Sequence, residues 1–352
     1  MAEGETTTTT GAGDGKGIAG AKSARGVPYT VSIAVCSSMV DNAQSMELAT
    51  MLAGQVARCA GIFCADEIVV VDDYGQRGGG NEISSCAAFL ARVLQYMETP
   101  QYLRRTLIKS HAHLKHVGLL PPLNAPHHPR STEWTKYREG VVLPPDSSAG
   151  RSSEAGGGDF SLINVGLDAP VKAHKRLRAR ERVTVRMKDK GFPAEGAAAT
   201  VFRGKVVSSL EPRSRKGTFW GYDVRVARSL SEALSEGPYE GGYDLKIGTS
   251  ERGDVFDPSD PAKCALPADF RHCLVAFGAV DGLEFACAND EGIRGKDPRE
   301  LFDLYLNTCP GQGSRTIRAE EAIVITMALL STNFPEFFHE SSSGGGGGGR
   351  IG

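Results

Sequence analysis

The chain has 352 residues, of which 40 are Lys or Arg and 42 are Asp or Glu, so its formal net charge is −2. Its apolar content of 40% and charged content of 23% are typical of a folded globular protein rather than a disordered or fibrous one. No apolar run approaches the ~20 residues that a membrane span needs, and the N-terminus lacks an apolar secretory segment. We therefore expect an intracellular protein of two or three domains.

The eight cysteines include no C-x-x-C pair, which argues against a zinc ribbon or a thioredoxin-like motif. Most of them lie in apolar surroundings, where a cysteine acts as a small buried hydrophobic residue. The histidines at positions 111–116 and 127–128 do not match the spacing of a known ligand set. We expect a reducing compartment, no disulfide framework and no metal site.

Both ends of the chain are low in complexity, and we predict tails at residues 1–25 and 336–352. A third stretch rich in Gly and Ser, residues 146–159, separates two regions of different character and predicts a linker or a domain boundary.

Residues 26–145 alternate between strand and helix patterns. Residues 31–35 and 68–71 are short apolar runs typical of buried parallel strands. The spacing predicts a helix that starts at Asp41, with Gln44 as its capping-box partner. A second amphipathic helix runs through Phe89 and ends before Pro100.

Residues 165–242 have the alternating, β-branched pattern of half-exposed antiparallel strands, at 182–186, 204–208 and 220–227. From residue 243 the α/β pattern returns, and a last helix opens near Arg318 with apolar residues that predict burial. We therefore predict one discontinuous α/β domain, residues 26–145 and 243–335, interrupted by a small β-barrel insert at 165–242 that resembles an oligonucleotide-binding (OB) barrel.

The near-neutral average hides a strong separation of charge. Residues 171–228 contain sixteen basic and five acidic residues, a net of +11, so the rest of the chain carries −13. Basic side chains beside Phe219, Trp220 and Tyr222 are typical of a surface that binds single-stranded nucleic acid, although a solvated basic face with core aromatics stays possible. The expected RNA-binding residues are Arg176, Arg178, Arg180, Arg186, Lys205, Arg215, Lys216 and Trp220.

Residues 307–318, NTCPGQGSRTIR, lie between a predicted strand and a predicted helix. Gly311 and Gly313 permit positive φ and close approach of a ligand, but the third glycine of the dinucleotide fingerprint is missing. Two companion loops, residues 248–253 and 278–284, also follow strands. Because ligands bind beyond the carboxyl ends of parallel strands, the three loops predict one pocket, with a tight structural turn as the alternative.

These motifs resemble one family. The strings DNAQS, LAGQVARCAGIFCADEIVV, LQYMETPQYLRR, GLLPPLNAPHH, GKVVSS, FWGYDVRVA, YDLKIGTSERG and LFDLYLNTCPGQGSRTIRAEEAI are similar to the SPOUT-class (α/β-knot) RNA methyltransferases. More narrowly, they resemble the subfamily with an OB-barrel insert, whose animal member is associated with centromeres and spindle poles. The resemblance covers residues 28–330 and implies a SPOUT domain with a C-terminal trefoil knot, in a homodimer.

The resemblance also implies S-adenosylmethionine as the cofactor. The cofactor-binding residues that it implies are Thr249, Arg252, Gly278, Glu284, Asn307, Pro310, Gln312, Gly313, Ser314, Thr316 and Ile317. Arg252 or Arg315 is the expected catalytic residue, which would stabilise negative charge on the acceptor. One departure is the string FGAVDGLEFACANDEGI, which is longer and more polar after GLE than the family pattern.

The family precedent is compatible with methylation of uridine N3 in ribosomal RNA, while 2′-hydroxyl and guanosine acceptors occur elsewhere in the class. The partner is then RNA, without a membrane, and the expected location is the nucleus or nucleolus rather than the cytoplasm. The alternative is a catalytically weak RNA-binding or mitotic scaffold that keeps the knot.

Overall fold

The computed structural model describes residues 27–74, 82–144, 159–192, 201–260, 263, 266–267 and 269–334. The two predicted tails and residues 146–158 of the predicted linker lie outside these ranges. Within the described ranges, no helix is both long enough and apolar enough to cross a membrane.

The described residues form eleven strands and seven α-helices. The strands are β1 (Thr30–Cys36), β2 (Glu67–Val71), β3 (Tyr137–Val142), β4 (Ser161–Asn164), β5 (Val171–Ala173), β6 (Arg182–Met187), β7 (Phe202–Val207), β8 (Asp223–Ala227), β9 (Leu245–Val255), β10 (His272–Phe277) and β11 (Leu304–Asn307). The helices are α1 (Met46–Ile62), α2 (Ser85–Glu98), α3 (Gln101–Leu107), α4 (Glu211–Lys216), α5 (Leu230–Ser235), α6 (Gly282–Asn289) and α7 (Ala319–Ser331).

Six strands form a parallel sheet in the order β11-β9-β10-β1-β2-β8. Every residue of β2 is buried, and so is all of β1 except its first residue. Side chains at successive strand positions point to opposite faces, so continuous burial requires that both faces be covered. The predicted parallel sheet of a mixed α/β protein is confirmed.

Helices cover both faces of this sheet. On one face, α1, α2 and α7 pack against Ile33 and Ile68. On the other face, α5 and α6 pack against Ala34 and Val69, the neighbouring positions on the same two strands. The apolar strands therefore belong to two hydrophobic clusters, one on each side of the sheet.

The other five strands close into a barrel in the order β3-β4-β5-β7-β6. Its interior is apolar and includes Ile163, Val171 and Val185, which are fully buried. Gly140 and Gly204 lie where strands approach closely, because a Cβ on either glycine would come within 2.6 Å of an interior side chain. The five-stranded barrel is thus a packed body with its own core.

The limits of the barrel differ from the predicted insert at 165–242. The barrel strands begin at Tyr137 and end at Val207, while β8 pairs in parallel with β2 and belongs to the large sheet. The prediction for residues 220–227 was wrong because β8 is an edge strand. Val224 and Val226 pack on the core at one face of the sheet, and Arg225 between them donates to Glu67 and Tyr243, so the sequence alternates as an antiparallel strand does.

Two helices also differ from the sequence expectation. α1 begins at Met46 rather than near Asp41, because the Ser45 hydroxyl accepts a hydrogen bond from the backbone N–H of Leu48 and caps the helix there. α7 starts after Arg318 as predicted, but it is only half-buried, and Val324 is 44% exposed. The apolar residues of α7 therefore extend beyond the face that packs on the core.

A buried polar network joins the barrel to the α/β domain. Arg182 of β6 donates two hydrogen bonds, of 2.6 and 2.7 Å, to the carboxylate of Glu98 at the end of α2. Arg182 also donates to Glu139 of β3 at 2.8 Å, and His127 Nε2 lies 3.2 Å from Glu98. Because this paired geometry is bidentate and largely buried, it fixes the barrel at the end of α2.

Candidate cofactor site and RNA-binding surface

The connections of the parallel sheet reverse direction between β1 and β10. From β1 the chain moves to β2 and β8 on one side, and β9, β10 and β11 lie on the other side. Open α/β sheets commonly bind ligands near such a reversal, beyond the carboxyl ends of the strands. The three predicted cofactor segments follow, or lie at the end of, β9, β10 and β11 on this edge.

The first predicted loop is part of a strand. β9 continues through Thr249 and Arg252 to Val255, with a register shift against β11 between Tyr305 and Leu306. The Thr249 hydroxyl donates to the carbonyl of Ala276 on β10 at 2.9 Å. Arg252, by contrast, has a largely exposed side chain that reaches the neighbouring loop.

The second loop depends on Gly278. A Cβ at this position would lie 2.3 Å from the carbonyl carbon of Gly282 and 2.4 Å from the nitrogen of Leu283, so no side chain fits there. The tight turn places Glu284 in the first turn of α6, where its carboxylate is 3.5 Å from a terminal guanidinium nitrogen of Arg252. The first two predicted segments therefore meet through these two charged side chains.

The third loop is tied to the first by Asn307. Its amide nitrogen donates to the carbonyl of Glu251 at 2.9 Å, and its amide oxygen accepts from the backbone N–H of Cys309 at 3.0 Å. Gln312 donates to the carbonyl of Ser314 at 3.2 Å, and the Ser314 hydroxyl donates to the carbonyl of Thr316 at 2.9 Å. These bonds hold the loop in a defined shape from within.

The rest of the third loop is open to solvent. Pro310, Gly313 and Arg315 are exposed, and Ile317 is half-buried. Neither Gly311 nor Gly313 has a positive φ, and a Cβ at Gly313 would meet nothing within 4 Å. The positive φ that glycine permits is therefore not used at these two positions, and the structure leaves free space beside them.

A cavity of about 440 Å³ lies beside these segments. Of the predicted residues, Arg252 and Glu284 line it, and the predicted residues of the third loop lie outside this lining. The sequence reasoning missed several other lining residues of β11 and the segment before it, which are Lys296, Asp297, Pro298, Arg299 and Tyr305. The string LFDLYLN pointed to this region, but the upstream residues carry no recognisable motif.

A second polar cluster lies at the carboxyl ends of β1 and β2. Asp73 accepts hydrogen bonds from the hydroxyl of Ser37 at 3.1 Å and from the backbone N–H of Ser38 at 2.9 Å. The carbonyl of Asp73 accepts from Asn289 of α6 at 3.0 Å. Burial raises the pKa of Asp73, although these donors oppose the shift. Asp73 thus fixes the turn after β1 to the helix that carries Glu284.

The predicted RNA-binding residues divide into two groups. Six of them are exposed, and these are Arg176, Arg178, Arg180, Lys205, Arg215 and Lys216. Arg186 instead forms a 2.6 Å ion pair with Glu211, which neutralises much of its charge. The basic loop that ends at Arg180 therefore dominates the exposed positive surface of the barrel.

The aromatic residues do not form a stacking platform. Phe219 and Tyr222 are buried in the core of the α/β domain. Trp220 packs against His127 and Tyr137, and its indole N–H donates to Glu139 at 2.6 Å. The ring and the N–H of Trp220 thus make internal contacts, which favours the alternative of core aromatics over a stacking role for this residue.

With this geometry established, comparison with known proteins decides the family. A family described as "Putative RNA methyltransferase" matches residues 30–330. The chain belongs to this family. It is 48% identical over 318 residues to a human 28S rRNA (uridine-N(3))-methyltransferase, covering 88% of this chain and 80% of the human protein.

Two further relatives are also 28S rRNA (uridine-N(3))-methyltransferases. The mouse protein is 48% identical over 88% of this chain and 78% of its own length. The Drosophila melanogaster protein is 42% identical over 86% of this chain and 62% of its own length. The resemblance seen in the motifs is therefore confirmed. The chain is an RNA methyltransferase, an activity that requires a methyl donor and an RNA substrate.

Proposed function

We propose that this protein transfers a methyl group from S-adenosylmethionine to N3 of a uridine in large-subunit ribosomal RNA. The observation that carries the proposal is the 48% identity to a 28S rRNA (uridine-N(3))-methyltransferase over 88% of the chain. The cavity between Arg252, Glu284 and the segment before β11 supports it, because it lies at the edge of the sheet where α/β proteins bind ligands.

The residues at this cavity fit S-adenosylmethionine. The cofactor has a carboxylate, an ammonium group and a sulfonium cation, and the cavity offers both cationic and anionic side chains. Lys296 and Arg299 are suited to the carboxylate, and Glu284 and Asp297 are suited to the positive groups. A volume of about 440 Å³ is within the usual range for a small-molecule site.

We further propose that residues 307–318 complete the site as part of a SPOUT trefoil knot. Support comes from the tie between Asn307 and the carbonyl of Glu251, which holds the third loop against the first. The exposed backbone at Pro310, Gly313 and Thr316 then offers hydrogen-bonding groups to an adenine ring, with Thr249, Gly278, Gln312, Ser314 and Ile317 shaping its surroundings.

When bound, S-adenosylmethionine supplies an activated methyl group on a sulfonium sulfur. Methylation at N3 would form an N–CH3 bond while the S–CH3 bond of the donor breaks and leaves a neutral thioether, and the N3 proton of uridine would pass to solvent. Arg252, at the cavity, stabilises the negative charge that develops on the uracil oxygens as that proton leaves. Arg315, which is exposed on the third loop, is the second candidate for this role.

We infer that the barrel holds the RNA while the cavity holds the cofactor. The exposed cations of the barrel, Arg176, Arg178 and Arg180, lie on one loop between β5 and β6. Cations that follow the backbone supply most of the affinity of a protein for RNA, and they do so without sequence preference. The fixed barrel position then presents one nucleotide to the cavity.

A homodimer is part of the proposal. α1 and α7 pack against each other on one face of the sheet, and both keep apolar side chains in solvent. Leu48 and Met51 of α1 are 53% and 40% exposed, and Val324 of α7 is 44% exposed. Exposed apolar residues on two adjacent helices favour a subunit interface. Sedimentation of the purified chain tests this directly, because a monomer at micromolar concentration would contradict it.

The experiment that tests the proposed function is mapping of 3-methyluridine in ribosomal RNA from cells lacking the gene. We expect one or a few uridines of large-subunit RNA to lose the modification, and the wild-type gene to restore it. Localisation of the tagged protein to the nucleus or nucleolus is the matching cellular expectation. An unchanged methylation map would overturn the proposed acceptor.

Calorimetry with the purified chain tests the cofactor separately. We expect S-adenosylmethionine to bind the wild-type protein in the absence of RNA, because the cavity residues are already in place. Absence of measurable binding would contradict the cofactor proposal, whatever the methylation map shows.

A further inference from the structure

A second basic segment lies outside the barrel, in residues 99–132. It contains no Asp or Glu, although these make up 42 of the 352 residues of the chain. It contains five Lys or Arg residues and five of the eight histidines. The segment is α3 with the turns that follow it, and it does not belong to the cofactor site or to the exposed surface of the barrel described above.

This segment lies directly beside the barrel. The Tyr102 hydroxyl of α3 donates to the carbonyl of Glu139 on β3 at 2.9 Å. Gly166, after β4, packs on the Tyr102 ring so closely that a Cβ there would lie 2.5 Å from the ring. The first turn of α3 is therefore in contact with two barrel strands or their connections.

The basic loop of the barrel ends at the same place. Arg182 binds Glu98, which precedes α3 by only three residues. Arg180, the last cation of that loop, is two residues from Arg182, and two residues of extended chain span at most about 7 Å. The exposed cations of the barrel and those of α3 are therefore neighbours on the folded protein.

Two cations of this segment have no carboxylate partner among the described residues. Arg105 and Lys109 are exposed, and neither forms an ion pair with any residue that the structure describes. Lys115 lies farther along, near Glu47, whose carboxylate is 3.2 Å from His116 Nε2. The uncompensated positive charge is therefore concentrated at the end of α3 and in the turn after it.

Arg92 of α2 extends this surface. A terminal nitrogen of its guanidinium lies 2.9 Å from Nδ1 of His111 and 3.1 Å from Nδ1 of His113. No described carboxylate pairs with Arg92. Burial lowers the pKa of His113, and nearby His111 and Arg92 lower it further. A guanidinium only donates, so Arg92 donates to these imidazole nitrogens and keeps its full positive charge, which complements a phosphate group.

We propose that Arg92, Arg105 and Lys109, with His111, form a second RNA-contact surface that binds the phosphates next to the RNA segment held by the barrel. The inference rests on the proposed RNA substrate and adds a second part to its binding path. RNA is favoured over other acidic partners because this surface adjoins the exposed basic loop of the barrel. Two adjacent basic surfaces then fix the direction of the RNA strand across the protein.

The test uses the full chain with both exposed cations neutralised, R105Q/K109Q. Fluorescence anisotropy measures Kd for a single-stranded RNA of roughly 30 nucleotides, about twice the longest site of one OB barrel. Each phosphate contact contributes about 0.7 to the slope of log Kd against log salt on single strands, so we expect the slope to fall by about 1.4. At about 0.1 M salt this corresponds to an increase in Kd of about 25-fold.

The matched control is K246Q/R271Q, which removes two cations at the amino ends of β9 and β10. We expect this variant to bind the RNA as the wild type does. Equal salt slopes in R105Q/K109Q and the wild type would overturn the proposal and leave an acidic protein as the partner of the surface. Failure of the proposed function would appear as a wild type that transfers no methyl group to RNA, whereas failure of this inference would leave the wild type active and the two salt slopes equal.

Ultraviolet cross-linking of the wild-type chain to the same RNA gives a second measurement that does not depend on a variant. We expect cross-linked nucleotides on peptides from residues 99–116 as well as on the barrel loop. Cross-links confined to the barrel would contradict the second surface.

Discussion

Replacing Glu98 by Gln should loosen the barrel from the α/β domain. Glu98 is 7% exposed, and its carboxylate accepts hydrogen bonds from both terminal nitrogens of Arg182, at 2.6 and 2.7 Å. Burial alone would raise the pKa of Glu98, but hydrogen bonds from Arg182 and His127 overcome it and hold the pKa at about 2. The ionised carboxylate is thus strongly stabilised in the folded state.

The size of the effect follows from that pKa. A fall from the usual value to about 2 is worth about 3 kcal/mol of folding free energy at neutral pH, since each unit is worth 1.36 kcal/mol. Removing one partner of a buried ion pair costs about 3–5 kcal/mol, which agrees in magnitude. We therefore expect Glu98→Gln to lower the free energy of unfolding by about 3 kcal/mol at pH 7.

The pH dependence gives the sign of the effect. Because the pKa is lowered in the folded state, the stabilisation is fully present above the unfolded pKa and is lost as the pH falls through about 2. The difference between wild type and Glu98→Gln should shrink to about 1.5 kcal/mol at pH 3. Urea unfolding followed by tryptophan fluorescence measures it, since Trp134 packs on the barrel core and Trp220 contacts His127.

The control is Glu133→Gln, an exposed carboxylate, which we expect to change stability by no more than about 0.5 kcal/mol. A Glu98→Gln effect below about 1 kcal/mol at pH 7 would refute the reasoning. So would a difference that is the same at pH 7 and pH 3, because the ion pair would then contribute nothing through ionisation.

Three further predictions concern acid stability, the turn at Gly278 and the catalytic role proposed for Arg252. Burial and nearby His127 lower the pKa of His128 to about 3, so the free energy of unfolding should already fall as the pH drops below about 6.5. In urea unfolding, His128→Gln should make the free energy of unfolding less dependent on pH between about 6.5 and about 5. Gly278→Ala should weaken S-adenosylmethionine binding at least tenfold by calorimetry, because the new Cβ would lie 2.3 Å from a backbone atom. The control Gly191→Ala should bind normally, because its Cβ would meet nothing within 4 Å. Arg252→Gln should lower kcat of methyl transfer about 100-fold with RNA affinity nearly unchanged, and equal kcat values would remove Arg252 from the reaction.

The parallel sheet and the barrel were largely predictable, because each depends on a local pattern. The apolar runs of β1 and β2 predict strands that are covered on both faces, and the structure has helices on both faces. Alternation at residues 182–186 and 204–208 correctly predicts barrel strands β6 and β7. The same reasoning failed for β8, because an edge strand of a parallel sheet has the alternation of an antiparallel one.

Individual side chains were less predictable than the elements that carry them. Sixteen basic residues in residues 171–228 indicated a basic module, but the sequence does not show which cations are neutralised. Arg182 and Arg186 pair with carboxylates that are 84 and 25 positions away in the chain, and Trp220 bonds to Glu139, 81 positions away. Long-range pairing of this kind has no periodicity, so only the folded chain reveals it.

By itself, the sequence determined the mixed α/β class and the family, and it predicts where the cofactor loops lie, because hydropathy period and the string NTCPGQGSRTIR are local properties. The sequence also showed that the net charge of −2 is the sum of a basic segment, residues 171–228, and an acidic remainder. Only the tertiary structure decided which charged side chains form ion pairs and which do not. It pairs Arg252 with Glu284 and Arg182 with Glu98, and it places residues 99–132, which contain no Asp or Glu, beside the barrel. The sequence could not show this, because charges interact through space and not along the chain.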